Sequence, residues 1–225
     1  MGENILMNTC IVIGAGDFSP AEIKREAGGI CIAVDGGYGY CKMLGIEPDF
    51  IVGDMDSLEK GVRGEIEEIR ERNPEKLVLL DREKDDTDML AALRIALKKG
   101  FRKFGIYGAL GGRVEHTIAN IQCLGFLKNN GAEACIIDGN TRITVIKNET
   151  IRFQKETEGY LSLFALGDQA EGVTIAGMKY LLDRVTVTND YPIGISNEFI
   201  GEEGQITVEN GMLLIIISRP VVSCP

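Results

Sequence analysis

The chain has 225 residues, of which 44% are hydrophobic and 26% charged, and its formal net charge is −10. The acidity argues against nucleic acid as a partner, and the lack of a bilayer-spanning apolar run or a signal-like segment predicts a cytoplasmic protein without a membrane partner. A single histidine and six cysteines without a Cys-x-x-Cys pair argue against zinc sites and predict reduced, buried thiols.

The first 140 residues alternate between predicted strands and predicted helices. Residues 10–13 and 30–34 are apolar throughout, which is typical of strands in a parallel sheet that is covered on both faces. A Gly-Ala-Gly sequence at residues 14–16 follows the first strand, but without the third glycine the dinucleotide fingerprint is incomplete. A serine followed by a proline predicts that a short helix begins there and covers residues 19–27.

Acidic residues follow the next strands. Asp35 ends the second strand and precedes Gly36 and Gly37, which have no side chains and therefore let a ligand approach the backbone. Asp54 and Asp56 follow a short apolar strand, and two carboxylates so close together repel each other unless a cation bridges them. A hard divalent cation is the natural bridge, although Asp is also common in ordinary turns.

A third acidic group lies between the predicted strand at residues 76–80 and the helical pattern that follows it. Asp85, Thr87 and Asp88 lie at this predicted helix start, with Lys84 beside them. Asp and Thr cap helices, but one acid would be enough for capping. The surplus of negative charge therefore favours a ligand that compensates it.

A glycine-rich loop follows the predicted strand at residues 103–107 and leads into another helix. Gly111 and Gly112 could bring a phosphate to the helix N-terminus, and Arg113 could bind it with its guanidinium. The loop lacks the ending of a Walker A motif. His116 and Asn120 would share one face of the helix, with a helix-ordering role as the alternative for the histidine.

The pattern changes near residue 141. Residues 1–140 predict an α/β fold, a doubly wound and mostly parallel sheet with one metal-nucleotide site at the strand ends. Residues 141–225 contain short apolar or alternating runs separated by Gly, Asn and Asp turns, which predicts a smaller all-β domain, a sandwich or barrel-like unit. The polar segment around Ser196 and Asn197 is either an edge of this domain or a substrate loop.

Five short motifs follow one another in register with the predicted strand ends. They are Asp35-Gly36-Gly37, the stretch from Gly53 to Ser57, the stretch from Lys84 to Asp88, the loop from Gly111 to His116, and the pair Ser196-Asn197. In this order they resemble thiamine pyrophosphokinases over nearly the whole chain. The resemblance implies Mg²⁺-dependent transfer of pyrophosphate from ATP to the hydroxyl of thiamine, releasing AMP, by a homodimer that binds thiamine near its subunit interface.

The same resemblance implies roles for individual residues. The catalytic and Mg²⁺-binding acids would be Asp35, Asp54, Asp56 and Asp88. ATP and its phosphates would be bound by Gly36, Gly37, Lys84, Asp85, Thr87, Gly111, Gly112, Arg113, His116 and Asn120. Thiamine would be held by Ser196 and Asn197 of the β domain, which would also form the dimer. Glu115 stands where the family usually has Asp, which leaves its contact open.

Three alternative functions remain compatible with these motifs. A kinase could use another acceptor, such as a pterin-type alcohol, and the N-terminal motifs hardly distinguish the two acceptors. The Ser196-Asn197 pair and the β domain favour thiamine. A non-catalytic nucleotide- or thiamine-binding regulator would have no need of the full set of acids. A Mg²⁺-dependent phosphohydrolase would release phosphate from ATP without any acceptor.

Overall fold

A computed structural model of the protein describes residues 9–19, 23, 25–54, 60–81 and 85–219, with residues 60–63 described by their backbone alone. Within these residues the chain forms a ten-stranded sheet, a four-stranded sheet and four α-helices. No helix in these ranges is long and apolar enough to cross a membrane.

Strands and helices alternate in the first part of the chain. Their order is β1 (Thr9–Ile13), β2 (Ile30–Val34), α1 (Gly37–Leu44), β3 (Phe50–Gly53), α2 (Lys60–Arg72), β4 (Leu77–Leu79), α3 (Asp88–Lys98), β5 (Lys103–Tyr107), α4 (Val114–Asn129) and β6 (Glu133–Asp138). The six strands pair in parallel in the order β6-β5-β1-β2-β3-β4. This is why β1 and β2 are apolar throughout: side chains on both of their faces are buried.

Helices cover both faces of this parallel sheet. Met89 and Leu93 of α3 and Leu124 of α4 pack into the core on one face. Cys41 of α1 and Ile66 of α2 belong to the core on the other face. The first part of the chain is therefore doubly wound.

The second part of the chain consists of eight described strands. They are β7 (Thr141–Lys147), β8 (Thr150–Phe153), β9 (Tyr160–Ala165), β10 (Gln169–Ala176), β11 (Leu182–Thr188), β12 (Asn197–Glu198), β13 (Gly204–Thr207) and β14 (Met212–Ser218). The order β11-β10-β13-β8 forms the small sheet. Its buried side chains, among them Val173 and Ile206, share one core with Leu163 of β9 and Ile215 of β14. The two sheets thus pack as a sandwich, and the predicted fold class is confirmed.

The large sheet continues through the change of pattern near residue 140. β6 pairs with β7 in antiparallel fashion, from Cys135–Thr144 to Asp138–Thr141, and β14, β9 and β12 extend the sheet beyond β7. Residue 140 is therefore the point at which parallel pairing changes to antiparallel pairing within one sheet.

The helix predicted over residues 19–27 is wrong for the part that the structure describes. Residues 23 and 25–27 are not helical, whereas residues 20–22 and 24 lie outside the described ranges. Arg25 instead donates from Nη2 to Oδ1 of Asp49 at 2.9 Å, and Oδ2 of Asp49 accepts from the backbone N–H of Cys31 at 2.7 Å. A helix this short is marginal on its own, so contacts with the neighbouring strand decide its conformation.

Candidate active site

A cavity of about 540 Å³ lies at the carboxyl ends of the parallel strands. β1 lies between β2 and β5, so the strand order reverses here: β2 to β4 continue on one side and β5 and β6 on the other. In open α/β sheets, ligands bind outside the strand ends at such a switch point. The lining comes from the loops after β1, β2, β3, β4 and β5, from the first turn of α3 and from the first two turns of α4.

Two glycine-containing loops meet backbone to backbone at one side of the cavity. The N–H of Gly14 donates to the carbonyl of Tyr107 at 2.8 Å, and the N–H of Gly16 donates to the carbonyl of Gly108 at 2.8 Å. A Cβ on Gly14 would lie 2.6 Å from the Gly108 carbonyl oxygen, and one on Gly108, where φ is +57°, would lie 2.5 Å from that of Gly14. The glycines therefore allow an approach that side chains would prevent.

Four aspartates among the described residues line the cavity, namely Asp35, Asp54, Asp86 and Asp88. Asp35 adopts a left-handed backbone conformation with φ of +49°, which is rare for residues other than glycine, and its N–H donates to the Val52 carbonyl at 3.0 Å. Its carboxylate packs against Gly53, where a Cβ would lie 2.0 Å from Oδ1. Val52 and Gly53 at the end of β3 thus fix the position of Asp35, which follows β2.

The acids at the start of α3 are held by contacts of that helix. Thr87 caps α3, because its hydroxyl oxygen accepts from the N–H of Leu90 at 3.2 Å. Asp88 is the first residue of the helix. Oδ2 of Asp86 lies 3.2 Å from Nε of Arg94, a residue of α3. This ion pair neutralises part of the negative charge at the cavity wall.

The loop after β5 brings a cation and a helix N-terminus to the cavity. Arg113 lines the cavity at the N-cap position of α4, which has no side-chain capping bond. Its Nε donates to Oε1 of Glu115 at 2.6 Å. Asn120 is buried, and its Nδ2 donates to the carbonyl of Ala109 at 2.8 Å, which ties α4 to the loop. His116 lines the cavity and is solvent-exposed.

The side chains of the cavity fit a hard divalent cation in chemistry. Carboxylate oxygens are the ligands that Mg²⁺ uses, and four aspartates of the described ranges line the cavity. Among the described residues, however, no group of three or more His, Cys, Asp or Glu side chains is arranged to hold a metal ion. Asp56, predicted as a further ligand, lies outside the described residues, as does the predicted phosphate-binding residue Lys84.

The structure brings together most of the described residues that the sequence predicts for the nucleotide site. The predicted residues that line the cavity are Asp35, Asp54, Thr87, Asp88, Gly111, Gly112, Arg113, His116 and Asn120. Gly36, Gly37 and Asp85 do not line the cavity themselves, although Gly36 and Asp85 each adjoin a lining residue in the sequence. Gly37 packs on the end of β1, since a Cβ there would lie 2.0 Å from the carbonyl oxygen of Ile13.

Sequence reasoning missed other lining residues, namely Gly14, Ala15, Gly16, Val34, Asp86, Met89, Gly108 and Ala109. A signal was present for some of them. The Gly-Ala-Gly sequence directly after the first strand is one, and the acidic stretch that contains Asp86 is another. The incomplete dinucleotide fingerprint does not predict a ligand site, although this loop lines the cavity.

Ser196 and Asn197 do not line the cavity. Asn197 begins β12, the edge strand of the large sheet, which is separated from β1 by six strand spacings. At about 4.8 Å for each spacing, the two strands are roughly 30 Å apart. Within one chain, the predicted thiamine-binding pair is therefore far from the predicted phosphate site.

The side-chain amide of Asn197 is engaged by the backbone. Its Oδ1 accepts from the N–H groups of Tyr180 and Glu198 at 3.0 and 2.9 Å, and its Nδ2 donates to the carbonyl of Tyr180 at 2.7 Å. The residue is only 4% exposed. Ser196 by contrast is solvent-exposed and has a φ of +57°. Asn197 thus holds the loop of Tyr180, whose ring is exposed.

Several large apolar side chains around this pair are also exposed. We call them the edge patch: Tyr160, Tyr180, Leu181, Tyr191, Ile193, Ile195 and Ile200. They lie on β9, on the two loops that flank β11, and directly after β12. Several large exposed apolar side chains beside the edge strand favour an interaction site there.

Two family models match the chain. The thiamin pyrophosphokinase catalytic domain matches residues 25–136, and the thiamin pyrophosphokinase vitamin B1 binding domain matches residues 148–213. Thiamine pyrophosphokinase of Bacillus subtilis is 31% identical over 188 residues, which are 83% of this chain and 86% of the relative. Thiamine pyrophosphokinase 1 of Oryza sativa is 25% identical and covers 77% of this chain and 67% of its own length.

Solved structures agree with these sequence matches. The crystal structure of the Bacillus subtilis thiamine pyrophosphokinase has a TM-score of 0.82 and 28% identity, and covers 95% of this chain and 100% of its own. The crystal structure of Geobacillus thermodenitrificans thiamin pyrophosphokinase has a TM-score of 0.77 and 26% identity, and covers 96% of this chain and 100% of its own. The resemblance found in the sequence motifs is confirmed, and the chain belongs to the thiamin pyrophosphokinase family, whose members diphosphorylate thiamine with ATP.

Proposed function

We propose that this chain binds ATP in the cavity at the switch point and there transfers its terminal pyrophosphate group to the hydroxyl of thiamine. The supporting observation is the convergence of four carboxylates, a glycine-lined backbone and Arg113 at one edge of the sheet. A triphosphate needs donors and positive charge, and the N-terminus of α4, whose N-cap residue Arg113 makes no side-chain capping bond, adds to the arginine. Carboxylates alone would repel it, which supports the participation of a metal ion.

Asp35, Asp54 and Asp88 together with Asp56 would hold Mg²⁺. Bound there, Mg²⁺ would supply positive charge to neutralise the phosphates and to polarise the β-phosphoryl group. Arg113 orients the triphosphate, and the glycines of the two loops leave room for it. Removal of Mg²⁺ with a chelator should abolish turnover.

The chemical step balances without any further reactant. The hydroxyl oxygen of thiamine forms a bond to the β-phosphorus of ATP, and the bond from that phosphorus to the oxygen bridging the α- and β-phosphates breaks. AMP leaves with the bridging oxygen, and thiamine diphosphate is the other product. Asp56 or Asp88 accepts the hydroxyl proton, and the remaining residues align the hydroxyl with the β-phosphorus.

Thiamine binding is assigned to the second part of the chain, residues 141–225, acting from a second copy in a homodimer. Ser196 lies too far from the cavity of its own chain, roughly 30 Å on the strand spacing. The edge patch supplies apolar area for association, and exposed tyrosine rings such as that of Tyr180 suit an aromatic, cationic molecule. We further propose a cytoplasmic enzyme with no nucleic-acid or membrane partner, in keeping with its net charge of −10.

The reaction is tested by following AMP formation from ATP and Mg²⁺ with and without thiamine. AMP that depends on thiamine, with an equal amount of thiamine diphosphate, is the expected result. AMP formed only with another alcohol would support the proposed nucleotide site but would show that thiamine is not the acceptor. Phosphate release without any acceptor would indicate a hydrolase, and tight binding without product would indicate a regulator.

The shared site is tested by mixing two inactive variants, Asp54→Asn and Tyr180→Ala. If the two copies share each site, a mixed dimer contains one site in which both halves are damaged and one in which both are intact. If the second copy supplies the thiamine half, the mixed dimer should recover about half of the wild-type activity. If each chain forms a whole site by itself, mixing should recover none, and the assignment of thiamine to the interface would fail.

A further inference from the structure

The guanidinium of Arg113 is held by Glu115 at the entrance of the cavity. Nε of Arg113 donates to Oε1 of Glu115 at 2.6 Å, and Nη2 lies 2.6 Å from the same oxygen. Arg113 lines the cavity and Glu115 does not. The carboxylate therefore contacts the arginine from outside the site.

The contact leaves most of the guanidinium available. Arginine has five N–H groups, and this carboxylate engages one side of the fork with a single oxygen. Both N–H groups of Nη1 and the second one of Nη2 remain for another acceptor. A phosphate can take two parallel N–H bonds from such an edge. Arg113 can thus bind Glu115 and a phosphate at the same time.

Glu115 is itself anchored at a fixed place. It lies in the first turn of α4, where negative charge is favoured. A hydrogen bond from its own backbone N–H, and then the bond from Arg113, hold the pKa of its carboxyl below its usual value. The helix start is tied to the glycine loop by Thr117, whose hydroxyl donates to the Gly111 carbonyl at 3.3 Å, and by Asn120. The backbone that carries Glu115 is therefore fixed relative to the loop that carries Arg113.

We propose that Glu115 is a positioning residue, which holds the Arg113 guanidinium toward the phosphates of ATP. The inference rests on the phosphate-binding role of Arg113 in the proposed function. The Arg113 side chain is 73% exposed, so without this anchor its long side chain would sample many rotamers. Ordering such a side chain on binding lowers affinity by roughly three- to tenfold.

The test combines the variants Glu115→Ala, Arg113→Ala and the double variant, with KM for ATP, KM for thiamine and kcat measured for each. Glu115→Ala should raise KM for ATP roughly three- to tenfold. It should leave KM for thiamine and kcat within about twofold. Arg113→Ala should raise KM for ATP further. The double variant should be no worse than Arg113→Ala, because Glu115 acts through the arginine.

Glu133→Ala is the matched control. Glu133 has the same side-chain exposure as Glu115, 63%, and makes a 2.5 Å ion pair with Lys128 near the other end of α4, so its removal should leave KM for ATP unchanged. An unchanged or lowered KM in Glu115→Ala, with Arg113→Ala impaired, would overturn the positioning role alone. Additive effects in the double variant would overturn it too. An unimpaired Arg113→Ala would overturn the phosphate-binding role and the inference with it.

Discussion

Replacing Asn197 by alanine tests whether this buried amide serves the fold or touches the substrate. The sequence motif implies a thiamine-binding residue, whereas the structure engages the whole amide in backbone hydrogen bonds. Oδ1 accepts from the N–H groups of Tyr180 and Glu198, and Nδ2 donates to the Tyr180 carbonyl, at distances between 2.7 and 3.0 Å. We therefore expect the variant to lose stability first and thiamine affinity as a consequence.

The size of the loss follows from the bonds removed. Alanine leaves two N–H groups and one carbonyl without these partners in a partly buried place. Each such hydrogen bond contributes about 1 kcal/mol, somewhat more where water cannot replace it, so the sum is about 2–4 kcal/mol. For a chain of this length each 1 kcal/mol corresponds to about 2–4 °C, so Tm should fall by roughly 5–15 °C.

Thermal unfolding and KM for thiamine, measured on the same preparations, decide between the two roles. Ser196→Ala is the control, because this exposed hydroxyl can be removed with a change in Tm of only about 1–2 °C. A wild-type Tm for Asn197→Ala together with a raised KM for thiamine would refute the reasoning. The amide would then contact the substrate, and the bonds to Tyr180 would contribute little.

Two further predictions concern packing and pH. Gly37→Ala places a Cβ 2.0 Å from the Ile13 carbonyl oxygen and should strongly lower the midpoint of unfolding in urea. Gly39→Ala is the control: a Cβ there has nothing within 4 Å and should stabilise α1 by about 0.5–1 kcal/mol. Equal urea midpoints for the two variants would contradict the close packing of Gly37. Burial raises the pKa of the Cys123 thiol to about 11, so only the unfolded chain loses this proton just above pH 9. The free energy of unfolding should therefore fall between about pH 9 and 11, less steeply in Cys123→Ala; an unchanged slope there would contradict this cause.

The sequence predicts the central strands of the parallel sheet well because most of their residues are buried. The strands at residues 30–34 and 103–107 have the predicted bounds, and Lys103 is the single exposed residue in them. The neighbours of a strand are harder to predict. The pattern of β7 indicates a strand that belongs to a β domain, but not that it pairs with β6 and continues the first sheet. Side-chain alternation carries no information about which strand lies alongside.

The candidate site shows the same limit at the level of single side chains. Acids at strand ends are visible in the sequence, and Asp35, Asp54 and Asp88 do line one cavity. The direction in which a side chain points is not visible in the sequence. Asn197 lies in the predicted motif, yet its amide points to the backbone of Tyr180, and only the three-dimensional arrangement reveals this.

The width of the large sheet links the proposed residue roles to the proposed oligomeric state. The acids follow β2, β3 and β4, while Ser196 precedes β12 at the opposite edge, six strand spacings from β1. A hydroxyl must come within bonding distance of the phosphorus that it attacks, and a molecule of the size of thiamine cannot span roughly 30 Å. If both groups of residues serve one reaction, a second copy must bring its edge strand to the cavity. The dimer and the joint use of Ser196 and the acids in one reaction are therefore one hypothesis, and a strictly monomeric active enzyme would refute it.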